Sequence, residues 1–268
     1  MITLVHRPRT AQEAVAKLAD GGTLLGGGTH VMPDLNTHAS PATELVSLRA
    51  AGLSGIEFDG DTTVIGAGTT LATIAATPRL AELAPVISSI AAPPVRTLAT
   101  VAGNCFVPQP YGDLAVALVA LDAEVDSVGP DGAKTRPLRA VAVDGLADAE
   151  LVTSIRFPTP AAGSLRFHKA TRRRQNSASI VTVAAQVTFG ADDAVEDIRI
   201  AVGAMAPTVV RAEPAERALI GNRLNADRIR EAAEATVPQL SPATDAYASS
   251  WYRTRVFPTH LRRALLGH

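Results

Sequence analysis

The chain has a single cysteine, Cys105, in 268 residues, and that scarcity removes several chemistries at once. One thiol cannot close an internal disulfide or supply the four thiolates of an iron–sulfur cluster. The six histidines show no ligand spacing, such as two on adjacent helical turns, so no metal site is expected in the chain. Any redox metal is expected on another polypeptide. Charge of one sign is also lacking, since 25 Lys and Arg face 26 Asp and Glu for a formal net charge of −1. That balance leaves no basic face of the kind nucleic acid requires. Long hydrophobic runs are missing too: residues 115–121 are apolar, but Asp122 ends the run well short of the ~18–20 residues of a membrane helix. Residues 1–6 lack a basic region followed by an apolar stretch, so no secretory signal is expected and the cytoplasm is the expected location.

What is present is enough to bury a core: 47% of the residues are hydrophobic, and the length suits one large domain or two unequal ones. The first stretch reads as strand, helix, strand. Residues 2–5 are apolar, Thr10 and Glu13 form a capping box ahead of Ala14, Val15 and Leu18, Gly21 and Gly22 stop that helix, and residues 23–25 are a second short apolar run. A further strand is expected at residues 44–48. From Gly55 the texture changes, because two β-type runs flank Asp59-Gly60-Asp61, a hairpin signal. Pro158, Pro160 and Gly163 mark a boundary. Beyond it come three strand-like runs (164–170, 180–189, 194–204) and helices near 214–220, 226–235 and 247–266, the pattern of an α+β domain.

Two small-residue clusters could carry chemistry. Gly26-Gly27-Gly28-Thr29 follows a strand, and consecutive glycines let backbone N–H groups turn toward one point, a nest suited to a pyrophosphate. It matches neither the G-x-G-x-x-G fingerprint nor the G-x-x-x-x-G-K-[ST] loop, and a plain tight turn is the alternative. Thr100-Val101-Ala102-Gly103-Asn104 offers a hydroxyl and an amide in a second turn, again with a purely structural alternative. Asp113 opens an apolar helix, where it either caps backbone N–H groups or accepts from cofactor hydroxyls. Lys169 precedes Arg172-Arg173-Arg174; the lysine could approach a flavin or its phosphates, and the arginine run is expected as an exposed charged face. His30 and Cys105 adjoin the clusters without a nucleophile–base–orienter set, so no side-chain catalytic residue is expected.

Taken together, these residues resemble the flavin subunit family of the molybdopterin dehydrogenases, which includes the medium subunit of carbon monoxide dehydrogenase and the flavin domain of xanthine dehydrogenase. A first motif of the A-G-G-T-D type is matched by residues 26–30. A second, T-I-G-G-N followed by P-x-G-D-L and A-L-D-A, is matched by 100–104, 110–114 and 120–123. Phe167-His168-Lys169 with Arg172 and Arg173, residues 203–207 with Arg211, and Tyr252-Arg253 extend the resemblance over nearly the whole chain.

The resemblance implies an α+β, two-lobed FAD-binding domain of the vanillyl-alcohol-oxidase type over residues 1–160, with lobes of roughly 1–54 and 55–160. A smaller domain with an antiparallel three-stranded sheet is expected over 161–268. FAD is the implied cofactor, held by Gly26, Gly27, Gly28, Thr29 and His30, and by Thr100, Ala102, Gly103, Asn104, Asp113 and Lys169. The implied partners are a molybdenum-cofactor large subunit and an iron–sulfur small subunit, with NAD or a quinone as acceptor. Two departures stand out: His30 replaces a small or acidic residue, and Ala102 replaces a glycine, which would crowd the phosphates if that position required φ > 0. Rival readings are an assembly or regulatory subunit without turnover, and a stand-alone flavin oxidoreductase.

Overall fold

The structure, a computed structural model, describes residues 2–38, 40–173 and 176–267. The chain forms two compact units. One is built from residues up to Thr77 with Ala92–Val107 and Ala123–Thr159; the other comprises Pro78–Ala91, Pro108–Asp122 and the residues from Pro160 onward. The segments that cross over are short and apolar, so periodicity alone could not assign them to a unit.

The first unit opens with a three-stranded parallel sheet ordered Leu4–His6, Glu44–Ser47, Thr23–Leu25. The helix Ala11–Ala19 starts where expected, the Thr10 hydroxyl accepting from the Glu13 N–H at 3.1 Å. The reciprocal half of the capping box is displaced: the Glu13 carboxylate accepts from the N–H of Arg9 at 2.7 Å, one residue before the cap. Ala14, Val46 and Leu151 are buried together, with Val15, Leu18 and Leu24 packed around them. A five-stranded antiparallel sheet follows, ordered Ile56–Asp59, Thr62–Gly66, Leu151–Pro158, Glu124–Gly129, Gly132–Pro137. The expected hairpin is there, with Asp59 opposite Thr62 and Gly60 at φ +57°. The segment after Ala99, expected as a turn, is a short helix, Val101–Cys105.

The second unit corrects one expectation: its antiparallel sheet has four strands, ordered Val210–Arg211, Val195–Gly203, Ser179–Phe189, Leu165–Thr171. The fourth is a two-residue pairing of Val210 and Arg211 with Val202 and Ala201, too short to leave a period in the sequence. The long strand Ser179–Phe189 is buried almost throughout, as a strand covered on both faces must be. One face carries Val181, Val183, Ala185 and Val187 into a core with Leu219, Ile229, Phe257 and Leu261 of the helices Glu213–Leu219, Ala226–Thr236 and Ser250–Leu266. The opposite face is made of smaller residues, and the wholly buried helix Asp113–Ala120 packs on it. Gly203 shows how closely: a Cβ there would lie 2.6 Å from Val116 Cγ2. The last helix begins at Ser250, not near 247, because the Asp245 carboxylate takes the N–H groups of Tyr247 and Ala248 into a loop before Ser249 caps the helix.

Candidate functional site

The first glycine run leaves the strand Thr23–Leu25 and meets the second cluster directly. A Cβ on Gly27 would lie 1.8 Å from the Leu98 carbonyl oxygen and 3.1 Å from Ala99 Cα, so only a glycine permits the backbones to touch. Gly28 has φ +73°, a left-handed conformation that strains any residue with a Cβ. Gly26 is under milder demand, with the Thr100 hydroxyl oxygen 3.2 Å from the position of its absent Cβ. Two motifs far apart in sequence therefore converge at one place in the first unit.

Their amides behave differently. The N–H groups of Gly27, Gly28 and Thr29 donate to no described group of the chain. In the second cluster the four amides after Thr100 are committed: Val101 N–H donates to Thr69 O at 2.9 Å, Ala102 N–H to Ala67 O at 3.2 Å, Gly103 N–H to the Thr100 hydroxyl at 3.2 Å, and Asn104 N–H to Thr100 O at 2.9 Å. The second cluster is thus a braced wall, and the first is the part with donors to offer. Adjacent unpaired N–H groups on side-chain-free backbone fit a diphosphate. Ala102 lies in the helix Val101–Cys105 and is not among the residues with positive φ, so its Cβ strains nothing. His30 precedes the helix Val31–Asn36 without capping it, and its Nε2 stands 3.7 Å from Asp34 Oδ2. Asn104 and Cys105 are buried; burial pushes the thiol pKa up, which keeps it protonated and inert.

Asp113 and Lys169 are brought together within the second unit. Lys169 Nζ donates to Asp113 Oδ2 at 2.7 Å and to the Ser89 carbonyl at 3.0 Å. The other Asp113 oxygen accepts from Ser179 Oγ and Thr182 Oγ1, each at 2.6 Å. Both charged side chains are nearly sealed, at 7% and 6% exposure. Asp113 does not cap its helix; Gly112 occupies the cap at φ +84°. Sequence reasoning missed Ser179 and Thr182. They lie three apart on a strand, so simple alternation puts them on opposite faces, but a register shift between Ser179 and Val181 brings them round to the same carboxylate.

The remaining resemblance positions are accounted for in the same unit. Arg253 is buried and donates to the carbonyls of Ser179, Ile180 and Ala204 and to Asp245, while Arg211 pairs with Glu216 and Asp122. His168 stacks on His260, with ring centroids 5.1 Å apart and Nε2 to Nδ1 at 3.0 Å. Burial lowers both pKa values, that of His260 to about 4. Arg172 and Arg173 are exposed, and Arg174 lies outside the described residues. Among the described residues no cluster of three His, Cys, Asp or Glu could hold a metal, and no helix is long and apolar enough to cross a membrane.

Residues 1–160 match the family described as the FAD binding domain in molybdopterin dehydrogenase, and 166–267 match the CO dehydrogenase flavoprotein C-terminal domain. The carbon monoxide dehydrogenase medium chain of Afipia carboxidovorans is 29% identical over 97% of this chain and 94% of its own length. The 6-hydroxypseudooxynicotine dehydrogenase complex subunit alpha of Paenarthrobacter nicotinovorans is 30% identical, covering 96% of this chain and 90% of its own. Among solved structures, a carbon monoxide dehydrogenase from Hydrogenophaga pseudoflava superposes with a TM-score of 0.91 at 28% identity, covering 99% of this chain and 96% of that one.

Proposed function

The chain belongs to the family of FAD-binding medium subunits of the molybdopterin dehydrogenases, and from that premise we propose that it relays electrons inside a molybdenum hydroxylase complex. It is an oxidoreductase subunit that binds FAD. On this reading a large partner with the molybdenum cofactor oxidises the substrate, and a small partner with iron–sulfur clusters delivers single electrons to this chain. The acceptor is a soluble or membrane-borne carrier of the NAD or quinone class. Bound FAD supplies the exchange between one- and two-electron chemistry.

The chain's own share is to hold and orient. The N–H groups of Gly27, Gly28 and Thr29, with His30 beside them, take the diphosphate. Gly26 and Gly27 bring that nest onto the Leu98–Asn104 segment, where the Thr100 hydroxyl adds a polar atom and Ala102, Gly103 and Asn104 form the wall. Lys169, which has a third donor beyond the two used on Asp113 and Ser89, completes the proposed cofactor set, and Asp113 serves the cofactor by holding that cation in place. No step needs a side-chain acid or base. Residues 1–160 are assigned to the cofactor, in lobes of roughly 1–54 and 55–160, and 161–268 to the supporting domain.

The observation that carries this reading is the contact of Gly27 with the Leu98 carbonyl beside three amides that have no acceptor among the described residues. It favours cofactor binding over the assembly-subunit reading, whose main support was the substitution at Ala102. The test is the visible spectrum of the purified chain. Stoichiometric FAD, reducible by dithionite, is expected; a colourless chain that cannot be reconstituted would falsify it.

A further inference from the structure

The buried strand Ser179–Phe189 is interrupted where it begins. Ser179 stands opposite Thr171 and Val181 opposite Ala170, so Ile180 has no counterpart on the neighbouring strand and forms a β-bulge. A buried arginine supplies donors at that point. Arg253, 1% exposed, donates from Nη1 to the carbonyls of Ser179 at 3.0 Å and Ile180 at 2.5 Å, and its Nη2 is anchored on Asp245 at 2.7 Å. The irregularity that turns Ser179 to the side of Thr182 is therefore pinned from the last helix.

Its product is a carboxylate shared three ways. Ser179 and Thr182, each 1% exposed, both reach Oδ1 of Asp113 at 2.6 Å, and their own oxygens are 2.8 Å apart. Thr182 is also the register partner of Lys169, whose Nζ takes Oδ2 at 2.7 Å. Hydrogen bonds to a carboxylate stabilise its negative charge, so the two hydroxyls take up part of the charge that Asp113 would otherwise direct at Lys169. The lysine is held without being fully neutralised, and its remaining N–H keeps positive charge for the cofactor. Charge beside a flavin tunes its electronics: the reduced ring is the more negative form, and a nearby cation favours it. We propose that Ser179 and Thr182 are positioning residues that raise the flavin's reduction potential by limiting how far Asp113 neutralises Lys169. This rests on the cofactor reading above.

The FAD-loaded full chain is compared with Thr182→Val, which keeps nearly the same shape and loses the hydroxyl, with Thr182→Ser, which restores it, and with Ser179→Ala. Midpoint potentials are read from the flavin spectrum during dithionite titration against a reference dye, with melting temperatures measured alongside. Thr182→Val and Ser179→Ala should each shift the equilibrium roughly tenfold toward oxidised flavin, ~30 mV lower for a two-electron couple, and Thr182→Ser should return it to within about twofold of the parent. Hydroxyls that serve packing alone would lower the melting temperature and leave the potential unmoved. That result overturns the proposal, as does a potential that rises or a shift that Thr182→Ser fails to reverse. Because Ser179 and Thr182 act on one oxygen from separate positions, either variant decides the matter if the other does not fold. A parent chain that takes up no FAD sinks the cofactor reading and this inference with it; a flavin-loaded parent whose variants share its potential sinks this inference alone.

Discussion

The meeting point at Gly27 and the ion pair of Asp113 with Lys169 solve opposite problems. At the first, backbone is stripped of side chains and three N–H groups have no acceptor among the described residues. At the second, one carboxylate is saturated by three side-chain donors and sealed from water. The first arrangement has donors to spare and gains from a ligand that supplies acceptors. The second is complete without one, and its value is rigidity, since a buried charge whose partner is removed costs several kcal/mol. Binding groups and the framework that supports them can therefore be separated by asking which polar atoms remain unpaired.

The sharpest way to break this comparison is Gly27→Ala. Its Cβ would fall inside a carbonyl oxygen that belongs to backbone and cannot swing aside, so FAD content should fall at least a hundredfold, read from flavin absorbance. Retention of flavin would mean that the meeting point is not the cradle. Asp113→Ala comes next. It strands the Lys169 charge and two hydroxyls, for a loss of about 3–5 kcal/mol, measurable as a reduced denaturation midpoint. If Asp113→Ala lost flavin at unchanged stability, the carboxylate would be a binding group after all.

The stacked histidines give a pH dependence of definite sign. Burial lowers the folded pKa of His168, and that of His260 to about 4, below the ~6.5 of an unfolded histidine. The unfolded chain therefore binds more protons over the intervening range, and stability rises with pH there. The contribution of the pair is present above pH ~6.5 and is lost as pH falls toward 4. Thermal melts of the parent and His260→Gln should converge on acidification; parallel profiles would remove the pair from the account. The smallest effect belongs to Gly26→Ala. Its Cβ meets a hydroxyl at 3.2 Å, so a few-fold change in FAD affinity and under ~1 kcal/mol of stability are expected. A loss as large as that of Gly27→Ala would mean that the run acts as a unit.

Local signals in the chain announced local structure. Thr10 ahead of Glu13, the turn at Gly60 and the apolar run opening at Asp113 each imply an element that then forms. Where a single long-range neighbour decided the outcome, nothing nearby could reveal it. The fourth strand of the second unit exists because Val210 reaches Val202, and the start of the last helix was set by the two amides that Asp245 draws into the preceding loop.

For the site, residue types alone determined that flexible backbone, a carboxylate and a cation were available at positions 26–30, 100–104, 113 and 169, and, through the resemblance, that FAD was the cofactor. Only tertiary structure decided which glycine is indispensable, because that depends on where the Leu98 carbonyl lies. It alone assigned Asp113 to Lys169, Ser179 and Thr182, because a strand irregularity rotates side chains without altering the residue pattern that encodes the strand.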